Sequence, residues 1–300
     1  MKHKHNYLII WGIVAFAAFL FPSTPGLATP MLDSAQSFAV LGYETVTNGH
    51  SAPNPTTQIY GDLGVTPGTS VTGFYPDGTV SGGTIHINDG VAQLALADAT
   101  SAYNTLSGLP FVYDYTGVDL GSAGYTTLTP GVYHFDSSAQ LTGALTLDFD
   151  GNPDADFIFQ IGSTLTTGSG SSVDIINGGP LSGVYWQVGS SATLGTDTTF
   201  AGNIFALASI TLDPRAEILC GRAFALTGAV ALTDNFISNN NTAEDFGSGR
   251  SDFGSYGFSG GSGGGSDDDA PASVPEPTTI LLFGTGIAGL AGIRMRGKRK

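Results

Sequence analysis

The sequence predicts an all-β solenoid with one α-helix packed beside it, and two observations support this fold class. Short runs of alternating apolar and small polar residues recur with a pseudo-period of 18–19 residues: residues 202–212 resemble 221–231 at an offset of 19, and 184–194 lie 18 residues before the first of these. This period is too short for a propeller blade and fits one coil of a solenoid. One separate stretch has helical spacing instead.

The strands of each coil follow from the alternation. Residues 157–167 resemble 184–194 at an offset of 27, which allows for the longer loop "NGGPLSG" between them. Alternate side chains should point into the core, and those between them outward. Stacked coils then place equivalent outward residues about 4.8 Å apart. The predicted inward residues are Phe157, Phe159, Ile161, Leu165, Val173 and Ile175.

The helix is predicted over residues 88–107. Asn88 is a suitable N-cap, and Gly108 with Pro110 supplies the stop. Apolar or small residues recur along it at helical spacing. They are Val91, Leu94, Ala95, Ala99, Ala102 and Leu106.

The segments outside this body have other compositions. Residues 1–28 have a basic start, an apolar run over 7–21 and small residues around Ala28, which predicts a secretory signal peptide. An N-terminal membrane anchor is the alternative, although the apolar run is short for a span. The folded body is expected over 29–238. Residues 239–272 are dominated by Gly, Ser and Asp and predict a flexible linker.

The C-terminal segment 273–300 has three ordered parts. Val274, Pro275, Glu276 and Pro277 come first, then an uncharged apolar stretch over 278–293, then a basic tail. This order resembles the PEP-CTERM sorting signal, which an exosortase of Gram-negative bacteria reads and cleaves. The resemblance implies secretion across the inner membrane and a cell-surface or extracellular location, with a transient or retained C-terminal transmembrane helix as the only membrane contact. A plain single-pass anchor is the alternative.

Charge and residue usage exclude several function classes. The net charge is −15, and between the two terminal segments only three basic residues remain against 24 acidic ones, about −21. Such a surface argues against a nucleic-acid partner. Cys220 is expected to be a buried small residue. His86 and His134 lack partners at metal-ligand spacing, and no catalytic or cofactor fingerprint occurs. No enzyme activity and no cofactor are predicted.

One acidic stretch invites a calcium interpretation. Asp148, Asp150 and Asn152 occupy alternate positions in "LDFDGNPDADF". An EF-hand loop requires Gly at its sixth position and a late bidentate Glu, and Pro153 and Phe159 stand there instead. A turn between strands is the simpler interpretation, and calcium remains the weaker alternative.

Several motifs in order resemble the large family of microbial ice-binding proteins. They are "SFAVLGYETVTN", "GDLGVTPGTSVTGF", "LTPGVYHFDSSAQLTGALTLD", "DFIFQIGSTLTT" and "VYWQVGSSATLGTDTTFAGNIFALASITL", and the likeness extends over 34–237. The resemblance implies a discontinuous right-handed β-helix with one long α-helix alongside. It also implies that ice or ordered water is the partner, bound by a flat face of small residues and hydroxyls.

Two sets of threonines are candidates for that face. One predicted ladder contains Thr146, Thr164, Thr166, Thr193 and Thr211 and ends at Ala231; plain β-propensity is the alternative explanation. The family pattern Thr-(Ala/Gly)-x-(Thr/Asn) falls instead on Thr167 and on Thr196, Thr198 and Thr199. Asp197, Arg215 and Glu217 depart from that pattern and bring charges. A non-enzymatic adhesion or structural protein of the surface or biofilm matrix, with exopolysaccharide as partner, is the alternative function.

Overall fold

The chain winds into coils of three short strands that stack by parallel pairing. The structure is a computed structural model and describes residues 32–49, 57–75, 77–152, 155–178 and 182–239. The N-terminal part contains a 3-10 helix (Asp33–Ala35) and strands β1 (Phe38–Gly42), β2 (Thr45–Gly49), β3 (Thr57–Tyr60), β4 (Asp62–Val65), β5 (Ser70–Thr72), β6 (Gly78–Ser81) and β7 (Ile85–Ile87). The helix α1 (Gly90–Ser107) follows.

Sixteen further strands follow the helix in the described residues. They are β8 (Tyr113–Asp114), β9 (Asp119–Leu120), β10 (Thr127–Leu128), β11 (Gly131–Phe135), β12 (Ala139–Leu141), β13 (Ala144–Asp148), β14 (Asp156–Ile161), β15 (Leu165–Thr167), β16 (Ser172–Ile176), β17 (Gly183–Val188), β18 (Ala192–Leu194), β19 (Thr199–Ala206), β20 (Ile210–Leu212), β21 (Glu217–Ala225), β22 (Val230–Thr233) and β23 (Phe236–Ser238).

These strands form three faces. The helix-covered face has the order β7-β4-β1-β21-β19-β17-β14-β11-β8. The hydroxyl face is a separate sheet with the order β5-β2-β22-β20-β18-β15-β12-β9. The charged face has the order β6-β3-β23-β21-β19-β16-β13-β10, because the long strands β19 and β21 turn a corner and contribute to two faces.

The stack is discontinuous in sequence. The N-terminal coil β1-β2-β3 pairs with the last coil of the chain, through β1 with β21, β2 with β22 and β3 with β23. Strands β4, β5, β6 and β7 extend the stack on that side. Helix α1 then connects β7 to β8 at the opposite end. The predicted β-solenoid with a discontinuous path and a flanking helix is therefore confirmed.

The core is a column of inward side chains, which alternation along the strands requires. The register aligns Tyr113, Tyr133, Phe159 and Trp186 on four successive coils. The rings of Phe159 and Trp186 stack with centroids 3.8 Å apart, and those of Tyr133 and Phe159 lie 5.3 Å apart. All six residues predicted to point inward are buried, as is Cys220.

Two details of the predicted helix are wrong. Asp89, not Asn88, is the N-cap: its carboxylate accepts from the Ala92 N–H at 2.9 Å, whereas Asn88 adopts a φ of 48°. Val91 and Leu94 are exposed instead of buried. The helix packs through a narrower stripe of four alanines and one leucine, which we call the alanine stripe, and the small alanine side chains allow its backbone close to the sheet. That stripe consists of Ala92, Ala95, Ala99, Ala102 and Leu106.

Candidate functional site

The hydroxyl face carries a column of outward residues that are mostly threonine. We call this set the threonine column. Backbone pairing aligns its members residue by residue, so adjacent members lie about 4.8 Å apart. From one end of the sheet to the other they are Thr72, Thr47, Ala231, Thr211, Thr193, Thr166, Gln140 and Asp119.

A second outward column lies two residues earlier on each coil, about 6.6 Å away along the strand. We call this set the serine column. It contains Ser70, Thr45, Ala229, Ser209, Ser191, Thr164 and Ser138. Neither column has a charged member except Asp119 at the far end. The two columns together form a rectangular array of small hydroxyl and methyl groups.

The two columns differ in how their hydroxyls are used. In the serine column, Thr164 Oγ1 donates to Ser138 Oγ at 2.8 Å, and Ser209 Oγ accepts from the Ala229 N–H at 3.2 Å. The structure gives no hydrogen bond between the hydroxyls of Thr166, Thr193 or Thr211 and any other described residue. Those hydroxyls therefore remain available to solvent, while Ser138, Thr164 and Ser209 of the serine column are held by contacts within that column.

The array is regular because the sheet beneath it is regular. The register of the hydroxyl face runs without a shift in the described residues from β9 to β5. The helix-covered face is interrupted, because β1 shifts register against β4 between Phe38 and Val40. A second shift, of β19 against β21 between Ala201 and Gly202, lies where these long strands turn from one face to the next. A shift displaces side chains from a common grid, and the hydroxyl face keeps one grid along its described length.

Thr167 and Thr198 do not belong to this surface. Both are buried, at 4% and 0% exposure, and their hydroxyls hydrogen-bond each other at 2.8 Å. Thr167 Oγ1 also accepts from the Gly195 N–H at 2.9 Å. The two side chains lie inside the corner between faces, where a hydroxyl satisfies the turning backbone. As contact residues for an external surface, these two candidates are wrong.

Thr146 is also displaced from the predicted ladder. It lies on the charged face, in register with Thr127 and Asp174. Thr199 lies on the same face, next to Glu217 in the register. Strand β13 is the third strand of its coil and not the second. The sequence repeat alone does not distinguish second strands from third strands.

Two of the three charged residues that interrupt the family pattern lie at a corner, and the third, Glu217, lies on the charged face. Thr196 and Asp197 follow β18 on the turn toward the charged face, where Asp197 and Arg215 adopt φ values of 58° and 62°. Arg215 donates to both carboxylate oxygens of Asp197, at 2.6 and 2.9 Å. The hydrogen bond from Arg215 lowers the pKa of Asp197 below its ordinary value. The pair borders the hydroxyl face and contributes no member to either column.

Several members of the array were missed from the sequence. They are Thr45, Thr47, Ser70, Thr72, Ser138, Ser191 and Ser209. A tripeptide could have found most of them, since a small hydroxyl residue, an apolar residue and a threonine recur in order. This tripeptide reads TVT at 45–47, SVT at 70–72, TLT at 164–166, SAT at 191–193 and SIT at 209–211.

The acidic stretch around Asp148 is arranged as a turn. Asp148 Oδ1 accepts from the Asp150 N–H at 2.9 Å and from Asn177 Nδ2 at 2.8 Å, and the Asn177 contact lowers its pKa. The Asn152 N–H donates to the Phe149 carbonyl at 3.0 Å. In the described ranges no three His, Cys, Asp or Glu side chains are grouped as metal ligands.

Comparison with known proteins gives this geometry its context. The profile of the ice-binding-like family matches residues 40–238. A protein from Nostoc sp. (strain HG1) named ice-binding protein is 50% identical over 239 residues, which cover 80% of this chain and 84% of that protein. The chain belongs to the ice-binding-like family. The family description and the relative's name both refer to ice binding and not to an enzyme activity, in agreement with the prediction that this chain is no enzyme.

Solved structures of ice-binding proteins share the fold. One from an Antarctic biological consortium aligns with a TM-score of 0.63 and 41% identity, over 70% of this chain and 90% of that one. Another, from the Antarctic ascomycete Antarctomyces psychrotrophicus, aligns with a TM-score of 0.62 and 37% identity, over 70% of this chain and 98% of that one.

The terminal segments fall outside the described residues. A PEP-CTERM protein-sorting profile matches residues 273–299, which confirms the predicted sorting signal in this segment; Val274, Pro275, Glu276 and Pro277 lie within the match. Within the described residues, no helix has the length and apolar character needed to cross a membrane. Asn239, the first residue of the predicted linker, belongs to the folded body: it is buried and donates from Nδ2 to the Ser37 carbonyl at 2.8 Å. The predicted signal peptide, the rest of the linker and the C-terminal apolar helix lie outside the described residues.

Proposed function

We propose that this protein binds ice through its hydroxyl face. The observation that carries the proposal is the array of two register-aligned columns whose members are small and uncharged except at one end. Its repeats of about 4.8 Å between coils and about 6.6 Å along a strand are comparable to the oxygen repeats of ice. The ice-binding names of the relatives support the same function.

The chemistry of the array fits an ordered water layer. Threonine methyls leave water few alternative hydrogen bonds, so water beside them favours a cage-like arrangement. The unpaired hydroxyls of Thr166, Thr193 and Thr211 then anchor that layer at regular intervals. A charged side chain would orient water around itself and break the pattern. The position of Asp197 and Arg215 at the corner keeps their charges outside the array.

Substitution of one central threonine tests the proposal. Thr193→Lys places a charge in the middle of the threonine column, whereas Thr146→Lys makes the same change on the charged face. Thermal hysteresis and ice-recrystallisation inhibition should be present in the unsubstituted protein and persist in Thr146→Lys. Both should fall at least tenfold in Thr193→Lys. Burying the lysine charge between the protein and ice costs well over 1.4 kcal/mol, the free energy that corresponds to a tenfold change. Equal losses in both variants would contradict the assignment of the face. Unfaceted ice growth in the unsubstituted protein would contradict ice binding itself.

We also infer that the protein is exported and processed at both ends. The basic and apolar segment 1–28 and the sorting motif match at 273–299 support this route. Immunoblots of fractionated cells should find the protein outside the inner membrane, and Glu276→Ala should leave the C-terminal segment attached. A cytoplasmic protein of full mass would contradict the route.

A further inference from the structure

The hydroxyl face is longer than its run of threonines. Strands β15, β12 and β9 continue the sheet in register, so Gln140 and Asp119 occupy the same column as Thr166. The backbone grid therefore extends for two coils beyond the last threonine. The threonine side chains end at that point, whereas the paired strands continue.

The serine column does continue past that point. Ser138, on the same coil as Gln140, accepts the hydroxyl hydrogen of Thr164 at 2.8 Å. The inward neighbours Ala139 and Leu141 are fully buried, so the coil is packed like the others. On the second strand of this coil, Gln140 is the one outward residue that departs from the small hydroxyl pattern.

The side chain of Gln140 is longer and more flexible than that of threonine. Its side chain is exposed and forms no hydrogen bond with another described residue. A glutamine has more rotatable bonds than threonine, and holding it against a surface costs rotamer entropy. Its terminal amide also extends beyond the plane of the threonine methyls. Asp119, one coil further, is by contrast held by the Thr142 N–H at 3.1 Å and by the Thr142 hydroxyl.

Ala231, the departure that lies between threonines of the column, has the opposite character. It lies between Thr211 and Thr47 and is as short as their methyl-bearing stems. An alanine removes one hydroxyl but leaves the surface level. The two departures are therefore not equivalent, because only Gln140 projects from the array.

We infer that Gln140 sets the extent of the ice-contacting array at this end of the solenoid, and that replacing it extends the array by one coil. This inference rests on the proposed ice binding by the hydroxyl face. Gln140→Thr adds a methyl and a hydroxyl at the position that the register already aligns with Thr166. One additional buried methyl corresponds to about a fourfold gain in the ratio of ice-bound to free protein.

The experiment compares ice affinity among matched variants of the full chain. Partitioning of fluorescently labelled protein into slowly grown ice is measured for the unsubstituted protein, Gln140→Thr, Gln140→Ala and Gln58→Thr. Gln58 lies on the charged face, so Gln58→Thr is the same change outside the array. We expect the fourfold gain in Gln140→Thr, a smaller gain in Gln140→Ala, which removes the projecting amide alone, and no gain in Gln58→Thr.

The outcomes separate this inference from the function on which it rests. If the unsubstituted protein does not enter ice, ice binding itself fails. If it enters ice and Thr193→Lys does not, but neither Gln140 variant exceeds the unsubstituted protein, the role of Gln140 is overturned alone. A gain of equal size in Gln58→Thr would also overturn it, because the effect would then be independent of the face.

Discussion

Two threonines five residues apart show how strongly the position within a coil decides the role of a residue. Thr193 lies in an outward column, while Thr198 is buried inside the corner and bonded to Thr167. Their side chains are identical, so only the period-2 alternation and the left-handed turn between them account for the difference. Counting threonines in the sequence therefore overstates the size of the surface.

A substitution at the corner separates stability from ice binding. Thr198→Val should remove one of the two hydrogen-bond partners of the buried Thr167 hydroxyl and lower the free energy of unfolding by about 1–3 kcal/mol, with ice partitioning unchanged in the folded protein. Urea denaturation measures the first effect. Thr196→Val, in the same turn but only half-buried, is the control. A Thr198→Val protein that keeps its stability but loses ice binding would contradict the buried placement.

At the scale of elements, the sequence predicts the strand pairing after α1 better than the strand pairing before it. The offsets of 18, 19 and 27 residues are the register offsets of β17, β19, β21 and β14. The N-terminal coils could not be placed in this way, since α1 separates Thr47 from its partner strand β22, and Thr72 joins the column only through Thr47. The N-cap was misassigned because Asn88 and Asp89 are both good caps, and only the Ala92 contact distinguishes them.

The alanine stripe of α1 sets the distance between the helix and the sheet. Ala99 is fully buried beside residues of the helix-covered face, whereas Ala97 is exposed. Ala99→Leu should lower the free energy of unfolding by about 1–3 kcal/mol through overpacking. Ala97→Leu, with the same gain in volume, should change it little. Chemical denaturation of the two variants tests this, and equal effects would show that the stripe is not closely packed.

At the scale of the whole molecule, the charge is distributed away from the proposed face. The corner carboxylate of Asp197 has a lowered pKa, so the contribution of its pair with Arg215 is present above the ordinary aspartate range and is lost only as the pH falls through that lowered value. Apart from Asp119, the two columns contain no group that titrates or is screened by salt.

Ice binding should consequently depend little on solution conditions. We expect thermal hysteresis to stay constant between about pH 5 and pH 9, because the threonine, serine and alanine side chains of the two columns carry no charge in this range. Adding sodium chloride should lower the freezing and melting points together and leave the gap between them unchanged. A steep change of the gap within this pH range would contradict the expectation.

The discontinuous path of the chain couples the length of helix α1 to the height of the stack of coils. Helix α1 connects the coil that ends in β7 with the coil that begins at β8, at the two extremes of the solenoid. Each added coil lengthens the stack by about 4.8 Å, and each helical residue spans about 1.5 Å. A longer homologue or a designed variant with one more coil must therefore also gain about three helical residues. The size of the hydroxyl face and the length of α1 therefore change together.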